Sequence, residues 1–236
     1  MTDITKLVSL FERYAHDNDY SSALGGLLDF FLLPFRLHGT PEARSSALAA
    51  FSGNPRREAM LAVLSEAGER AEDFGDPLGA LFERLVSKGR KGQFFTPDPV
   101  ADLMAAIAMG DAAKGGTVLD PACGSGRMLL AAARVNRHAR LYGADVDPLC
   151  CNIALANMIM NSLTGEIAHM DSLSNEFYAG YRTGTALRNG YHHPYYVEFS
   201  DPSESRIWQR SRMPSENGPS FSTGKGGSGG TQGTLF

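Results

Sequence analysis

The 236-residue chain has few cysteines and no long apolar run, and both absences limit what it can be. Its three cysteines, two of them adjacent at Cys150 and Cys151, cannot form a disulfide framework, so we expect a reduced, cytoplasmic protein. No apolar run approaches the ~20 residues of a membrane-spanning helix, and the first residues do not resemble a signal peptide. The formal net charge of −4 excludes a global basic field. Any contact with DNA must therefore come from a local patch or a partner.

Composition and periodicity divide the chain into three parts. Residues 1–85 place apolar side chains at helical spacing, as in Leu24, Leu27 and Leu28, and predict a helical N-terminal segment. Residues 86–205 alternate strand and helix patterns and predict one α/β domain. Residues 206–236 predict a flexible tail that is rich in glycine and serine and disordered over most of its length.

The α/β part contains three short apolar runs that each end at an aspartate. Predicted strands at 117–120, 139–144 and 167–170 end at or just before Asp120, Asp145 and Asp171. Predicted helices follow the first two strands, and another begins at Asp98-Pro99. This alternation is typical of a parallel, doubly wound sheet, whose strands point their carboxyl ends into one ligand-binding crevice.

The loop from Asp120 to Gly126 is the most informative stretch. Gly124 and Gly126 let backbone N–H groups approach a ligand, and the helix that follows adds a positive dipole. The loop is not G-x-G-x-x-G and lacks the lysine of a phosphate-binding loop, which disfavours a dinucleotide or a nucleoside triphosphate. Acidic groups suit a nucleoside that carries an amino acid, with Asp145 placed for the ribose hydroxyls. The alternative is that Asp120 and Asp145 only cap helices.

The run 120–126, preceded by the segments 78–83 and 92–97, resembles the S-adenosylmethionine-binding signature of amino (N6-adenine) DNA methyltransferases. The likeness is to modification subunits of type I restriction systems and to small plasmid-borne relatives, and it implies a Rossmann-like class I methyltransferase fold. It implies S-adenosylmethionine as the cofactor and DNA as the substrate. Carried over by position, the cofactor-binding residues are Gln93, Phe94, Phe95, Thr96, Asp120, Ala122, Cys123, Gly124, Gly126, Asp145, Val146 and Asp171.

The catalytic motif departs from the family pattern. The family has Asn-Pro-Pro-Tyr or Asp-Pro-Pro-Tyr after the fourth strand, where it orients the target amine and stacks on the flipped base. The chain lacks that tetrapeptide, and the best placed substitute is His193, Pro194, Tyr195 and Tyr196. A neutral imidazole cannot reproduce both hydrogen-bonding features of an amide. Two alternatives remain for the tyrosines, a half-buried strand or a base-stacking surface. No metal site is expected, because the adjacent histidines lack partners at ligand spacing.

The resemblance leaves the biological role open between an enzyme and an accessory protein. The first hypothesis is N6-adenine methylation of DNA, with a specificity subunit as a candidate partner; RNA or a protein glutamine is an alternative substrate. The second is a weakened, cofactor-binding accessory protein. Its C-terminal Gln232, Leu235 and Phe236 resemble a sliding-clamp-binding peptide on a flexible tether.

Overall fold

Within the ranges that the structure describes, six α-helices precede the first strand of a single sheet, and two more α-helices connect the first three strands. The computed structural model describes residues 3–16, 18–87, 96–109, 116–209 and 234–235. The helices are α1 (Thr5–Ala15), α2 (Tyr20–Leu32), α3 (Pro41–Gly53), α4 (Arg57–Arg70), α5 (Pro77–Phe82), α6 (Asp98–Met109), α7 (Arg127–Val135) and α8 (Pro148–Met160). The strands are β1 (Thr117–Asp120), β2 (Arg140–Asp145), β3 (Gly165–Asp171), β4 (Glu176–Arg188), β5 (Tyr191–Phe199) and β6 (Thr234–Leu235). No helix in these ranges combines the length and the apolar character that crossing a membrane requires.

Three helices start at a capping residue followed by proline. The side chains of Thr40, Asp76 and Asp147 accept backbone N–H groups in the first turns of α3, α5 and α8. Proline at the next position fixes a helical φ and has no N–H to leave unpaired. Such a cap is worth about 1 kcal/mol, so these dipeptides set where each helix begins.

The sheet has the order β5-β4-β3-β2-β1-β6 and is mixed. Strands β1, β2 and β3 are parallel neighbours, and Asp120 pairs with Gly143 while Asp145 pairs with His169. The prediction of a parallel sheet is confirmed for these strands. Because they run in parallel, their carboxyl ends meet at one edge, as the sequence predicts.

The two strands that follow β3 are antiparallel, and this corrects the expectation of a wholly parallel sheet. Strand β4 returns along β3, and β5 returns along β4 through a turn at Asn189-Gly190, where both φ angles are positive. Positive φ at both positions of a two-residue turn matches the twist of a hairpin. Thr183 pairs with Gly165, the first residue of β3, so the rest of the hairpin extends about 17 Å beyond the amino end of the sheet.

One continuous core joins the N-terminal helices to the sheet. Phe11, Leu27, Leu81 and Ile153, from four different helices, all lie fully buried in the same cluster as sheet residues such as Leu141. Each such side chain contributes about 1.5–3 kcal/mol through burial. The N-terminal helical segment predicted from the sequence is confirmed as helical, and it packs directly on the α/β part.

The opposite face of the sheet is covered by a short segment after β5. Ile207 and Trp208 pack on Ala144, Ala168 and Met170. The buried carboxylate of Glu166 in β3 holds this segment, because it accepts hydrogen bonds from the Ser205 hydroxyl at 2.6 Å and the Arg206 amide at 3.1 Å. The predicted flexible tail starts at residue 206, and its first four residues belong instead to this packed segment. The rest of the tail lies outside the described residues, except for Thr234 and Leu235, which pair in parallel with β1.

Candidate functional site

The loop after β1 is a tight glycine turn at the carboxyl edge of the sheet. Gly124 and Gly126 have φ angles of 54° and 82°, in the left-handed region that favours glycine. A Cβ added to Gly126 would meet the Ala154 Cβ of α8 at 3.2 Å. The Cys123 amide donates to the Ala144 carbonyl at 2.8 Å, which ties the loop to the end of β2. The loop therefore places the backbone of two glycines next to the ends of β1 and β2.

Asp145 connects the loop to the end of β2. Its Oδ2 accepts the Gly124 amide at 2.8 Å, and its Oδ1 accepts the Asp147 amide at 2.9 Å. The alternative, in which Asp120 and Asp145 only cap helices, does not hold, because neither residue is an N-cap. The cap of α8 is Asp147, and the N-cap of α7 is Gly126, which makes no side-chain cap bond. Each oxygen of Asp145 can still accept a further hydrogen bond, since a carboxylate oxygen has two lone pairs.

The three aspartates at the strand ends differ in their electrostatics. Burial, with a smaller contribution from the nearby Asp145 carboxylate, raises the pKa of Asp120 to about 6, although the hydrogen bond from the Ala122 amide opposes the shift. Burial also raises the pKa of Asp145. Hydrogen bonds from the Leu173 and Ser174 amides lower the pKa of Asp171. Two partly desolvated carboxylates at one edge favour a ligand that brings a positive charge or hydroxyl donors.

A buried carboxylate from outside the α/β part holds the loop from behind. Asp76 Oδ2 accepts the Ser125 hydroxyl at 2.5 Å and Arg127 Nε at 3.1 Å. Its Oδ1 accepts Asn157 Nδ2 at 2.7 Å and the Gly79 amide at 2.9 Å. A Cβ on Gly79 would collide with the Asp76 carboxylate, so glycine is required for this approach. Asp76 thus joins α5, the glycine loop and α8.

Arg127 extends this contact to the start of α6. Its Nη1 donates to the Thr96 carbonyl at 3.0 Å, and its guanidinium lies 3.4 Å from carboxylate oxygens of both Glu83 and Asp98. The side chain is only 10% exposed, so its charge is matched by Asp76 inside the protein. Asp76 and Arg127 fix the position of Thr96, the last residue of the predicted cofactor loop, relative to the glycine turn.

Comparison with known families identifies the chain. The family model for the N-6 DNA methylases matches residues 70–189, which include the strand ends and the glycine loop. The chain belongs to the N-6 DNA methylase family. S-adenosylmethionine is the cofactor expected of this family, and the resemblance inferred from the sequence is confirmed.

Relatives of this family member are methylase subunits of type I restriction enzymes. The chain is 28% identical over 145 residues to the MpnII methylase subunit of Mycoplasma pneumoniae, covering 57% of this chain and 26% of that protein. It is 28% identical over 114 residues to the MjaIX methylase subunit of Methanocaldococcus jannaschii, covering 43% and 20%. The match therefore spans about a quarter of the length of the first relative and a fifth of the length of the second.

Among solved structures, the chain is similar to a class I S-adenosylmethionine-dependent methyltransferase from Listeria monocytogenes. The two are 17% identical with a TM-score of 0.46, over 71% of this chain and 53% of that one. The α/β sheet with its helices agrees with the Rossmann-like class predicted from the sequence.

The predicted cofactor residues of this N-6 DNA methylase converge as far as the structure describes them. Those in the described ranges lie along the carboxyl edge of β1–β3 or at the start of α6: Thr96, Asp120, Ala122, Cys123, Gly124, Gly126, Asp145, Val146 and Asp171. Val146 is 60% exposed beside Asp145, as an apolar contact for an adenine ring requires. The glycine turn and the acidic strand ends fit S-adenosylmethionine. Gln93, Phe94 and Phe95 lie outside the described residues.

The four predicted catalytic residues are not brought to this edge. His193, Pro194, Tyr195 and Tyr196 lie in β5, where His193 pairs with Ala186 in the hairpin beyond the amino end of β3. Counting residues along the strands places His193 about 30 Å from Asp171. The expectation that this tetrapeptide joins the cofactor cleft is corrected by the antiparallel return of β4 and β5. Tyr196 is buried against Tyr181, and His193 is exposed.

Sequence reasoning missed the Asp76 and Arg127 contacts. Asp76-Pro77 signals a helix start, and Asp76 does cap α5. Nothing local shows that its second oxygen reaches Ser125, 49 residues away. Cys123, Cys150 and Cys151 are all buried, and none of them forms a disulfide.

Proposed function

We propose that the chain binds S-adenosylmethionine at the carboxyl edge of β1–β3 and acts in the methylation of adenine N6 in DNA. The convergence of Asp120, Asp145 and the left-handed glycine turn at one edge supports this proposal most strongly. Membership of the N-6 DNA methylase family supports the choice of acceptor.

Each strand-end residue has a distinct part in this proposal. S-adenosylmethionine supplies a methyl group on a positively charged sulfonium. Asp120 faces the amino group of its methionine portion, and the partly buried carboxylate gains a matching charge. Asp145 accepts the ribose hydroxyls while it keeps the Gly124 amide in place. Val146 packs on the adenine, and Asp171 accepts the adenine amine.

A second candidate is a cofactor-binding accessory protein that does not methylate on its own. The observation that favours it is the position of His193–Tyr196, which lie toward the amino end of the sheet, whereas Asp120 and Asp145 lie at its carboxyl edge. A partner that contributes the target-base pocket, such as a further subunit of a modification complex, would then complete the site. Neither the described residues nor the comparisons support the sliding-clamp alternative.

One labelling experiment separates the two candidates. Purified protein is incubated with S-adenosylmethionine labelled in the methyl group and with adenine-containing duplex DNA, RNA or a protein extract. Label in DNA that disappears in Asp145→Asn and persists in His193→Ala supports the enzyme. No label in any pool, with cofactor binding intact by calorimetry, supports the accessory role. Label confined to RNA or protein would contradict DNA as the acceptor.

A further inference from the structure

The β4–β5 hairpin presents cationic and aromatic side chains on one face, far from the cofactor edge. Side chains alternate between the two faces of a strand, and directly paired residues share a face. Arg182 pairs with Val197, Gly184 with Tyr195, Ala186 with His193, and Arg188 with Tyr191. The face that carries Arg182 therefore also carries Arg188, His193, Tyr191 and Tyr195. Because Gly184 has no side chain, the Tyr195 ring lies directly against its backbone.

The same face continues onto the sheet as a shallow arginine-lined groove. A cavity of about 250 Å³ is lined by Arg140, Arg182 and Arg206, together with Tyr142, Thr164, Gly165, Glu166 and Thr183. Tyr142 pairs with Glu166 and Glu166 with Arg182, which places the groove on the face that carries the hairpin arginines. We call the set Arg140, Arg182, Arg188, Arg206, Tyr191 and Tyr195 the arginine–tyrosine face.

Among the described residues, Arg182 is the one arginine of this face that has an acidic partner, the carboxylate of Glu166. Glu166 is fully buried, and its carboxylate accepts hydrogen bonds from Ser205 and Arg206 and lies 3.8 Å from Arg182. Within the described ranges, no acidic side chain forms an ion pair with Arg140, Arg188 or Arg206. The whole chain carries a formal charge of −4, so this cluster opposes the overall charge. Such a local concentration attracts a polyanion.

The two tyrosines of this face indicate what kind of polyanion fits. Tyr191 is 73% exposed at the end of the hairpin, and Tyr195, four residues further along the same strand face, is partly buried against Gly184. The two rings are thus about 13 Å apart along β5. Aromatic rings beside arginines on an open strand surface bind single strands, because unpaired bases can stack on the rings while the arginines contact phosphates. A duplex keeps its bases stacked inside and cannot use the rings in this way.

We propose that the arginine–tyrosine face binds single-stranded DNA, as a second nucleic-acid site at the opposite end of the sheet from the cofactor edge. The choice of DNA over RNA rests on membership of the N-6 DNA methylase family. The site does not depend on cofactor binding, since its residues share no contact with Asp120, Asp145 or the glycine loop. It also gives the exposed part of the His193–Tyr196 stretch a role that its position allows.

Fluorescence anisotropy with a labelled oligothymidine tests the proposal on the full chain. We expect saturable binding with a dissociation constant of about 1–100 µM at physiological salt, and tighter binding at lower salt. Arg188→Ala and Tyr191→Ala should each weaken binding about tenfold, because one removes a phosphate contact and the other a stacking ring. Arg188→Ala should also reduce the slope of log affinity against log salt by about 0.7. Arg44→Ala, which removes an exposed arginine from α3, should bind as the wild type does.

Each other outcome counts against the proposal. Absence of wild-type binding, or equal losses in Arg44→Ala and Arg188→Ala, would refute a site on this face. Equal affinity for RNA, duplex DNA or polyglutamate would refute single-stranded DNA as the ligand. Calorimetric titration of the same variants with S-adenosylmethionine should give wild-type affinity. That titration separates failure here from failure of the cofactor proposal and shows that the variants are folded.

Discussion

Replacing Asp76 by asparagine should destabilise the protein and loosen the glycine loop. The side chain is 3% exposed and accepts four hydrogen bonds, from Gly79, Asn157, Ser125 and Arg127. An asparagine keeps one oxygen, which can serve the first two donors, and turns an NH₂ group toward the other two. The Ser125 hydroxyl can rotate and accept that group. The Arg127 guanidinium cannot accept a hydrogen bond.

The size of the effect follows from what Arg127 loses and keeps. Removing one partner of a buried ion pair costs about 3–5 kcal/mol. Arg127 retains Glu83 and Asp98, whose side chains are 44% and 51% exposed and therefore compensate only in part. We expect Asp76→Asn to lower the free energy of unfolding by about 2–3 kcal/mol. Asp98→Asn, which removes an exposed partner of the same arginine, should cost less than about 1 kcal/mol.

Urea unfolding followed by far-UV circular dichroism measures both variants. The affinity for S-adenosylmethionine should fall in Asp76→Asn and remain close to that of the wild type in Asp98→Asn, because only the first variant sets an NH₂ group against the Arg127 guanidinium behind the glycine loop. A wild-type unfolding midpoint for Asp76→Asn would refute the reasoning. Equal losses of stability in the two variants would also refute it, because the buried Asp76 contact would then contribute no more to the free energy of unfolding than the exposed Asp98 contact.

Three further predictions follow from the cofactor edge and the core. Because burial raises the pKa of Asp120 to about 6, above its unfolded value, the protonated acid stabilises the native state at low pH, and that stability is lost as the pH rises through 6. Relative to Asp120→Asn, the free energy of unfolding of the wild type should increase by up to about 3 kcal/mol when the pH is lowered from about 7 to 4. Urea titrations at several pH values measure this difference, and a difference that does not change with pH would contradict the raised pKa. Gly126→Ala forces an alanine to φ 82° and should cost about 1–2 kcal/mol in thermal unfolding, together with cofactor affinity; an unchanged melting temperature would contradict a strained turn. Burial raises the pKa of the thiols of Cys123, Cys150 and Cys151, so Ellman's reagent should modify them only after urea is added, and rapid reaction of the native protein would contradict their burial.

The sequence predicts those elements whose signals are local. Asp76-Pro77 and Asp98-Pro99 predict helix starts, and α5 and α6 begin at these dipeptides in the structure. Apolar runs that stop at an aspartate predict the ends of β1, β2 and β3 to within a residue. The cofactor edge could be assembled from these ends, because parallel strands deliver their carboxyl ends to one place.

The hairpin and the Asp76 contacts depend on information that is not local. The direction of β4 relative to β3 is decided by pairing, and the family pattern instead predicts that His193–Tyr196 follows a strand ending at the cofactor edge. One local signal does exist, since Asn189-Gly190 between two strand-like runs is typical of a two-residue hairpin turn. The contact from Asp76 to Ser125 joins residues 49 positions apart, and only the packed helices bring them together.

Calorimetric titration of the full chain with S-adenosylmethionine tests the central claim most directly. The cofactor edge predicts one binding site per chain, lost or weakened at least tenfold in Asp145→Asn and unchanged in His193→Ala. Asp145 both lines the edge and holds the Gly124 amide, whereas His193 lies about 30 Å away along the strands. Absence of binding by the wild type would contradict the account. So would a loss caused by His193→Ala with Asp145→Asn unaffected.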